Sequence, residues 1–179
     1  MAEKPTIYKL NLTLSDLDRN VYGDYNLTIA LHPSETIERM MVRILAFCYR
    51  AAENLSFARG LSSADDPDLW LKHDDGRILE WIEVGQPSPE RLKKASSQAI
   101  AVHIFSYGRG LDIWWKANLA AITALPKVSI HHFAADELQA LCALVDKTMN
   151  LTVTITENIA YVADARDNVA VTLLDMDLL

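Results

Sequence analysis

The sequence predicts an α/β fold: a compact single domain, residues 1–179, with a mixed central sheet flanked by helices. Three observations carry this. Apolar residues alternate near the N-terminus as in half-buried strands, and they recur at helical spacing after Ser34. Between later helical segments, Ile100 to Tyr107 is almost continuously apolar, as in a strand buried on both faces.

In Thr6 to Ser15, the positions Ile7, Leu10, Leu12 and Leu14 mark a strand. Val21 to Leu31 forms a second, with Tyr25, Leu27 and Ile29 on one face. The turn residues Asp16-Leu17-Asp18-Arg19-Asn20 join them as a hairpin. His32-Pro33-Ser34-Glu35 opens a helix with Ser34 as N-cap. Its stripe is Ile37, Met41, Ile44, Cys48 and Leu55, widened by Met40, Leu45 and Ala52. Arg59 to Ser63 is a loop, and Pro67 to Gln86 reads as a second hairpin.

A short helix then starts at Pro87-Ser88-Pro89-Glu90, with Ser88 capping, Pro89 in the first turn and Glu90 at the positive end. After the Ile100 strand, Gly108-Arg109-Gly110 turns the chain into a helical segment holding Trp114 and Trp115, up to Pro126. Val128 to Phe133 is a strand and Ala135 to Lys147 a helix with Leu138, Leu141, Cys142 and Val145 inward. Leu151 to Ile155, Ile159 to Ala163 and Val169 to Leu174 complete the strands.

Half of the residues are apolar, 23% are charged and the formal net charge is −7. That describes a globular protein, and it argues against one that grips nucleic acid mainly by charge. A local basic patch on an acidic remainder is still compatible with an enzyme acting on nucleic acid. Met1-Ala2-Glu3-Lys4-Pro5 is polar and no membrane-length apolar run follows, so a cytoplasmic protein without membrane contact is expected. Cys48 and Cys142 lie in helical patterns without CxxC spacing and read as buried free thiols.

The Pro67–Gln86 hairpin carries the strongest chemical signal. With a two-residue loop at Asp75-Gly76, or a four-residue loop centred there, Asp68 faces Glu83 and Trp70 faces Trp81. Opposed like charges repel at that spacing, and a hard divalent cation would turn the conflict into a site. A three-residue loop, Asp74-Asp75-Gly76 with a bulge, would instead put Asp68 opposite Ile82 and turn Glu83 to the other face. Acids at strand ends are otherwise commonly solvated.

Pro-Asp on one strand, Glu on the next and a helix beyond resemble the PD-(D/E)XK nuclease superfamily. More specifically, the whole chain resembles the YaeQ family. The residues carrying this are Arg59-Gly60-Leu61-Ser62, Asp66-Pro67-Asp68-Leu69-Trp70, Glu80 to Pro87, and Arg91-Leu92-Lys93-Lys94-Ala95-Ser96. The resemblance implies a variant nuclease fold, with Asp68 and Glu83 as Mg2+ ligands and a nucleic-acid phosphodiester as substrate. Where the nuclease pattern has lysine, two positions after the acid, this chain has Gly85. Gln86 is the replacement if Gly85 forms a bulge; Lys93 or Lys94 from the next helix is the alternative. Some superfamily members add an acid from the preceding helix, for which Glu38 is the candidate and Glu35 the competitor. Solvation of Glu38, or an ion pair with Arg39 or Arg43, is the plainer reading.

Lys93, Lys94 and Arg91 are candidate phosphate contacts, although basic residues on a short helix commonly just face solvent. Trp70 and Trp81 would stack on bases or simply pack across the hairpin. His131 and His132 alternate across a strand and cannot share a metal, and His103 reads as a satisfied core residue. Trp114 and Trp115 are read as anchors of helix to sheet. Two functions follow: a Mg2+-dependent phosphodiesterase, or a non-catalytic nucleic-acid- or protein-binding regulatory protein on the same fold.

Overall fold

A computed structural model describes residues 3–176; Met1 and Ala2, in the polar N-terminal segment, lie outside them. The expected α/β class is what it shows, with mixed sheets and helices. In chain order the elements are β1 (Thr6–Asp16), β2 (Val21–Leu31), α1 (Ile37–Arg50), β3 (Leu55–Phe57), β4 (Leu69–Lys72), β5 (Ile78–Val84), α2 (Pro89–Gln98) and β6 (Ala99–Ser106). They continue with α3 (Leu111–Thr123), β7 (Val128–His132), α4 (Ala135–Cys142), β8 (Thr148–Thr156), β9 (Ile159–Ala163), β10 (Asn168–Thr172) and β11 (Leu174–Asp175). They fall into two compact units, each built on one sheet. One holds the described residues up to Ala51 with Ala134–Leu173; the other holds Ala52–Phe133 with the described residues from Leu174.

The first unit has strand order β10-β9-β8-β1-β2. β1 and β2 form the expected hairpin, Thr6 pairing with Leu31 and Asp16 with Val21. The alternation holds for Leu10, Leu12 and Leu14, which are buried while Lys9, Asn11 and Thr13 are exposed; Ile7 falls on the exposed face and Tyr8 is buried in its place. Thr36, and not Ser34, caps α1. Its Oγ1 accepts the Arg39 N–H at 3.1 Å, whereas Ser34 Oγ sits 2.6 Å from His32 Nδ1. Thr36→Ala is expected to cost about 1 kcal/mol in urea unfolding and Ser34→Ala almost nothing. Equal losses would contradict that assignment.

α1 stops at Arg50, short of the expected Leu55. Ala51 leaves the helical region at φ −50°, ψ 126° and Asn54 takes a left-handed φ of 69°, so the later apolar positions continue the helical period only by coincidence. α4 likewise ends at Cys142, short of Lys147. The Lys147 carbonyl accepts Lys9 N–H at 2.9 Å, drawing the chain into a parallel ladder of β8 against β1. Cys48 is buried as expected, but Cys142 is only half-buried. The last expected strand is two: β10 pairs with β9, Leu173 donates to Asn158 O, and β11 joins β7 in the other sheet.

That second sheet runs β11-β7-β6-β5-β4-β3, with β5, β6 and β7 parallel. One face packs Trp81, Val102 and Ile104 against Leu92 and Ala95 of α2 and Trp115 and Ile122 of α3. Trp114 anchors α3 further, its Nε1 donating to Pro87 O at 3.1 Å. α2 is capped as expected, Ser88 Oγ accepting Arg91 N–H. His103 is half-buried, 3.7 Å from Glu80, and His132 is buried while His131 is not.

Candidate functional site: a buried acid pair

The hairpin reaches the register of the two-residue reading by the route of the three-residue one. His73 and Arg77 close a three-residue loop, with Gly76 at φ 88°. Lys72 pairs with Ile78 and Leu71 with Glu80, so Leu79 bulges. The extra residue restores Trp70 to Trp81 and Leu69 to Ile82. Continuing one step, Asp68 comes across from Glu83, on the face that carries Trp81.

Both acids are buried, Asp68 at 1% and Glu83 at 4% exposure. Asp68 precedes β4, where Asp68 N–H donates to Ile82 O. Its Oδ2 then accepts Val84 N–H at 2.8 Å, taking the place of a strand carbonyl beyond the end of the ladder. Glu83 Oε1 accepts Trp81 Nε1–H at 2.7 Å and Arg91 Nε–H at 2.8 Å. Burial first, and the Asp68 charge second, push Glu83 up to about 7, against the opposing pull of Trp81 and Arg91. The acids are therefore brought together, as the register arithmetic requires.

Arg91 was expected only as a phosphate contact. Besides Glu83, it ties Nη1 to Ala64 O at 2.8 Å and Nη2 to Asp66 O at 2.7 Å. Arg59 holds Asp66 at 2.7 Å. Gly85 has φ 108°, which only glycine adopts readily, and its N–H continues pairing to Phe105 O. Gln86 is exposed and its Nε2 donates to Tyr107 O and Arg109 O, which commits that amide to the loop after β6. Lys94 pairs with Asp65, and Lys93 is exposed on α2. Trp81 is buried core and cannot stack on a base; half-buried Trp70 carries Lys72 Nζ 3.5 Å above its ring.

Glu38 lies in the first turn of α1, in the other unit, where its charge helps raise the Cys142 thiol after burial does so. Glu35 pairs with Arg43 at 2.7 Å and Arg39 at 3.1 Å, so the arginines considered for Glu38 serve Glu35. Among the described residues, no three His, Cys, Asp or Glu side chains gather as metal ligands.

One residue escaped the sequence reading altogether. Ser106 closes β6 wholly buried, and its Oγ has no hydrogen-bond partner among the described atoms. A small hydroxyl ending an apolar strand gives no sequence signal.

These features define an α/β protein with a buried carboxylate pair at the end of a hairpin. The family profile described as YaeQ protein matches residues 1–173. The chain belongs to the YaeQ family. It is 42% identical over 174 residues to the uncharacterized protein YaeQ of Escherichia coli strain K12, covering 97% of this chain and 96% of that one. The Salmonella typhi protein of the same description is also 42% identical, with the same coverage. A crystal structure of YaeQ protein from Xanthomonas axonopodis pv. citri superposes with TM-score 0.92 at 34% identity, over 96% of this chain and 98% of that one. One from Pseudomonas syringae gives 0.92 at 41% identity, over 96% of each. No helix among the described residues is long and apolar enough to cross a membrane.

Proposed function

We propose that this chain hydrolyses nucleic-acid phosphodiesters with Mg2+ held by Asp68 and Glu83, through a variant of the PD-(D/E)XK nuclease site. The observation that supports this is the burial of two neighbouring carboxylates, one held near neutrality. Such an arrangement is costly for folding alone and characteristic of functional sites. The donor set fits the metal: Mg2+ takes one or two carboxylates and keeps water for the rest. Gly60 fits as well, because a Cβ there would lie 3.1 Å from Asp68 Oδ1 and crowd that oxygen.

Bound Mg2+ supplies Lewis-acid polarisation of the phosphate and a more acidic water. The chain's own residues supply the rest. Asp68 and Glu83 fix the site, Arg91 sets a positive charge against Glu83, and the exposed Lys93 and Lys94 of α2 are the candidate phosphate contacts. In the hydrolysis a water oxygen bonds to phosphorus, the ester P–O bond breaks, and a proton of that water ends on the leaving oxygen.

A second reading, a non-catalytic binding protein on the same fold, is favoured by Arg91, which already compensates Glu83, and by glycine at position 85. Calorimetric titration with Mg2+ and Mn2+, followed by cleavage assays on DNA and RNA, separates the two. Saturable binding and cleavage in the parent, both lost in Asp68→Asn and Glu83→Gln, are expected. Binding without cleavage establishes the second reading, and absence of binding in the parent removes the enzyme reading.

A further inference from the structure

Gly85 leaves the β5 strand without the side chain that would hold a water beside the acids. We propose that Ser106, from the neighbouring strand, takes that part: its hydroxyl is a positioning residue that hydrogen-bonds a water next to Glu83. The placement follows from register. β5 and β6 run parallel, with Glu83 beside Ile104 and Val84 beside Phe105. One further step sets Gly85 beside Ser106, and Gly85 N–H still donates to Phe105 O at 3.0 Å. Side chains alternate along β6, so Ser106 shares the face of Val102 and Ile104, which pack with Trp81, and therefore the face of Glu83.

Three further observations point to an occupant there. Ser106 is 0% exposed and its Oγ is unpartnered among the described atoms. A buried hydroxyl without a partner is costly, and an ordered water is the usual resolution. A Cβ built on Gly85 would meet nothing within 4 Å, so no side chain is packed around that position at the end of β5. Gln86 caps this end of the strands through Tyr107 O and Arg109 O, and thus the residue next to Gly85 is already occupied in holding the loop. A serine hydroxyl donates one hydrogen bond and accepts others, which suits it to orienting a water but not to removing its proton.

The inference rests on the proposed hydrolytic reading, and its test separates the two. A crystal structure of the metal-free protein that resolves water is expected to show one within hydrogen-bond reach of both Ser106 Oγ and a Glu83 oxygen, absent in Ser106→Ala. A hydroxyl closed onto a backbone carbonyl, with no water there, overturns the assignment. In turnover, Ser106→Ala is expected to lower kcat about tenfold, the scale of one hydrogen bond. KM and Mn2+ binding stay unchanged, and Ser106→Thr recovers the rate. A rate equal to the parent's in Ser106→Ala overturns it too. A parent that holds the water but turns over no phosphodiester refutes the hydrolytic reading while leaving Ser106 as the water's holder.

Discussion

Glu83→Gln is expected to raise the melting temperature above pH 7 and leave it nearly unchanged at pH 5. The folded protein raises Glu83 from an ordinary 4.5 to about 7. Between those values the folded state retains a proton that the unfolded chain has released, so stability falls as pH rises and the loss is complete above the folded value. Full ionisation costs on the order of 3 kcal/mol. Glutamine carries no charge but keeps an oxygen for Trp81 Nε1–H and Arg91 Nε–H, the two donors now at 2.7 and 2.8 Å. Some of the gain is offset because half-buried Arg91 loses its counter-charge. A net gain of about 1–2 kcal/mol at pH 8, roughly 3–6 °C, is the expected result in calorimetric melts. If the variant instead melts lower at pH 8 than at pH 5 relative to the parent, Glu83 is a stabilising partner of Arg91 and the acid pair carries no strain.

That sign matters for function. Removing an acid that only braces the fold should weaken it. Removing an acid retained for binding at the expense of stability should strengthen the fold while abolishing the binding. The same variant therefore reads out both properties in one protein, and a bracing acid and a binding acid predict different pairs of outcomes.

The hairpin shows what sequence can and cannot specify here. Asp-Gly and the flanking alternation fixed a turn and brought Asp68 toward Glu83, because a period of two leaves few registers. They could not reveal that a three-residue loop and a bulge at Leu79 combine into the same pairing. Helix ends failed for a related reason: Ala52, Leu55 and Val145 satisfy a helical period that competing long-range hydrogen bonds override, as with Lys147 O and Lys9 N. The acids were legible because turn arithmetic sets Asp68 and Glu83 opposite each other among the many charges of this hairpin. Arg91 was visible only as a basic residue, since its ties to Ala64 O and Asp66 O are made to backbone that sequence does not locate. Ser106 was invisible because its interest lies in burial without a partner, which is purely a property of packing.

The other large effect separates the two acids of the α1 region. Glu35→Ala is expected to cost about 3–5 kcal/mol, the scale for breaking a buried ion pair by removing one partner. Glu35 Oε1 is 2.7 Å from Arg43 Nε and Oε2 is 2.9 Å from its Nη2, with Arg39 Nη1 at 3.1 Å from Oε1. The Arg43 side chain is 7% exposed and its Nη2 also donates to Ala30 O at 2.9 Å, so losing the carboxylate removes a bidentate anionic partner held within the fold. Glu35→Ala with Arg43→Met is expected to recover most of the loss, because replacing a whole buried pair with apolar groups is often near neutral. Glu38→Gln, at a half-buried first-turn position, should change stability by no more than about 0.5 kcal/mol. Urea unfolding of the four proteins measures all of this. Equal losses in Glu35→Ala and the double variant would mean that the carboxylate matters for something other than Arg43.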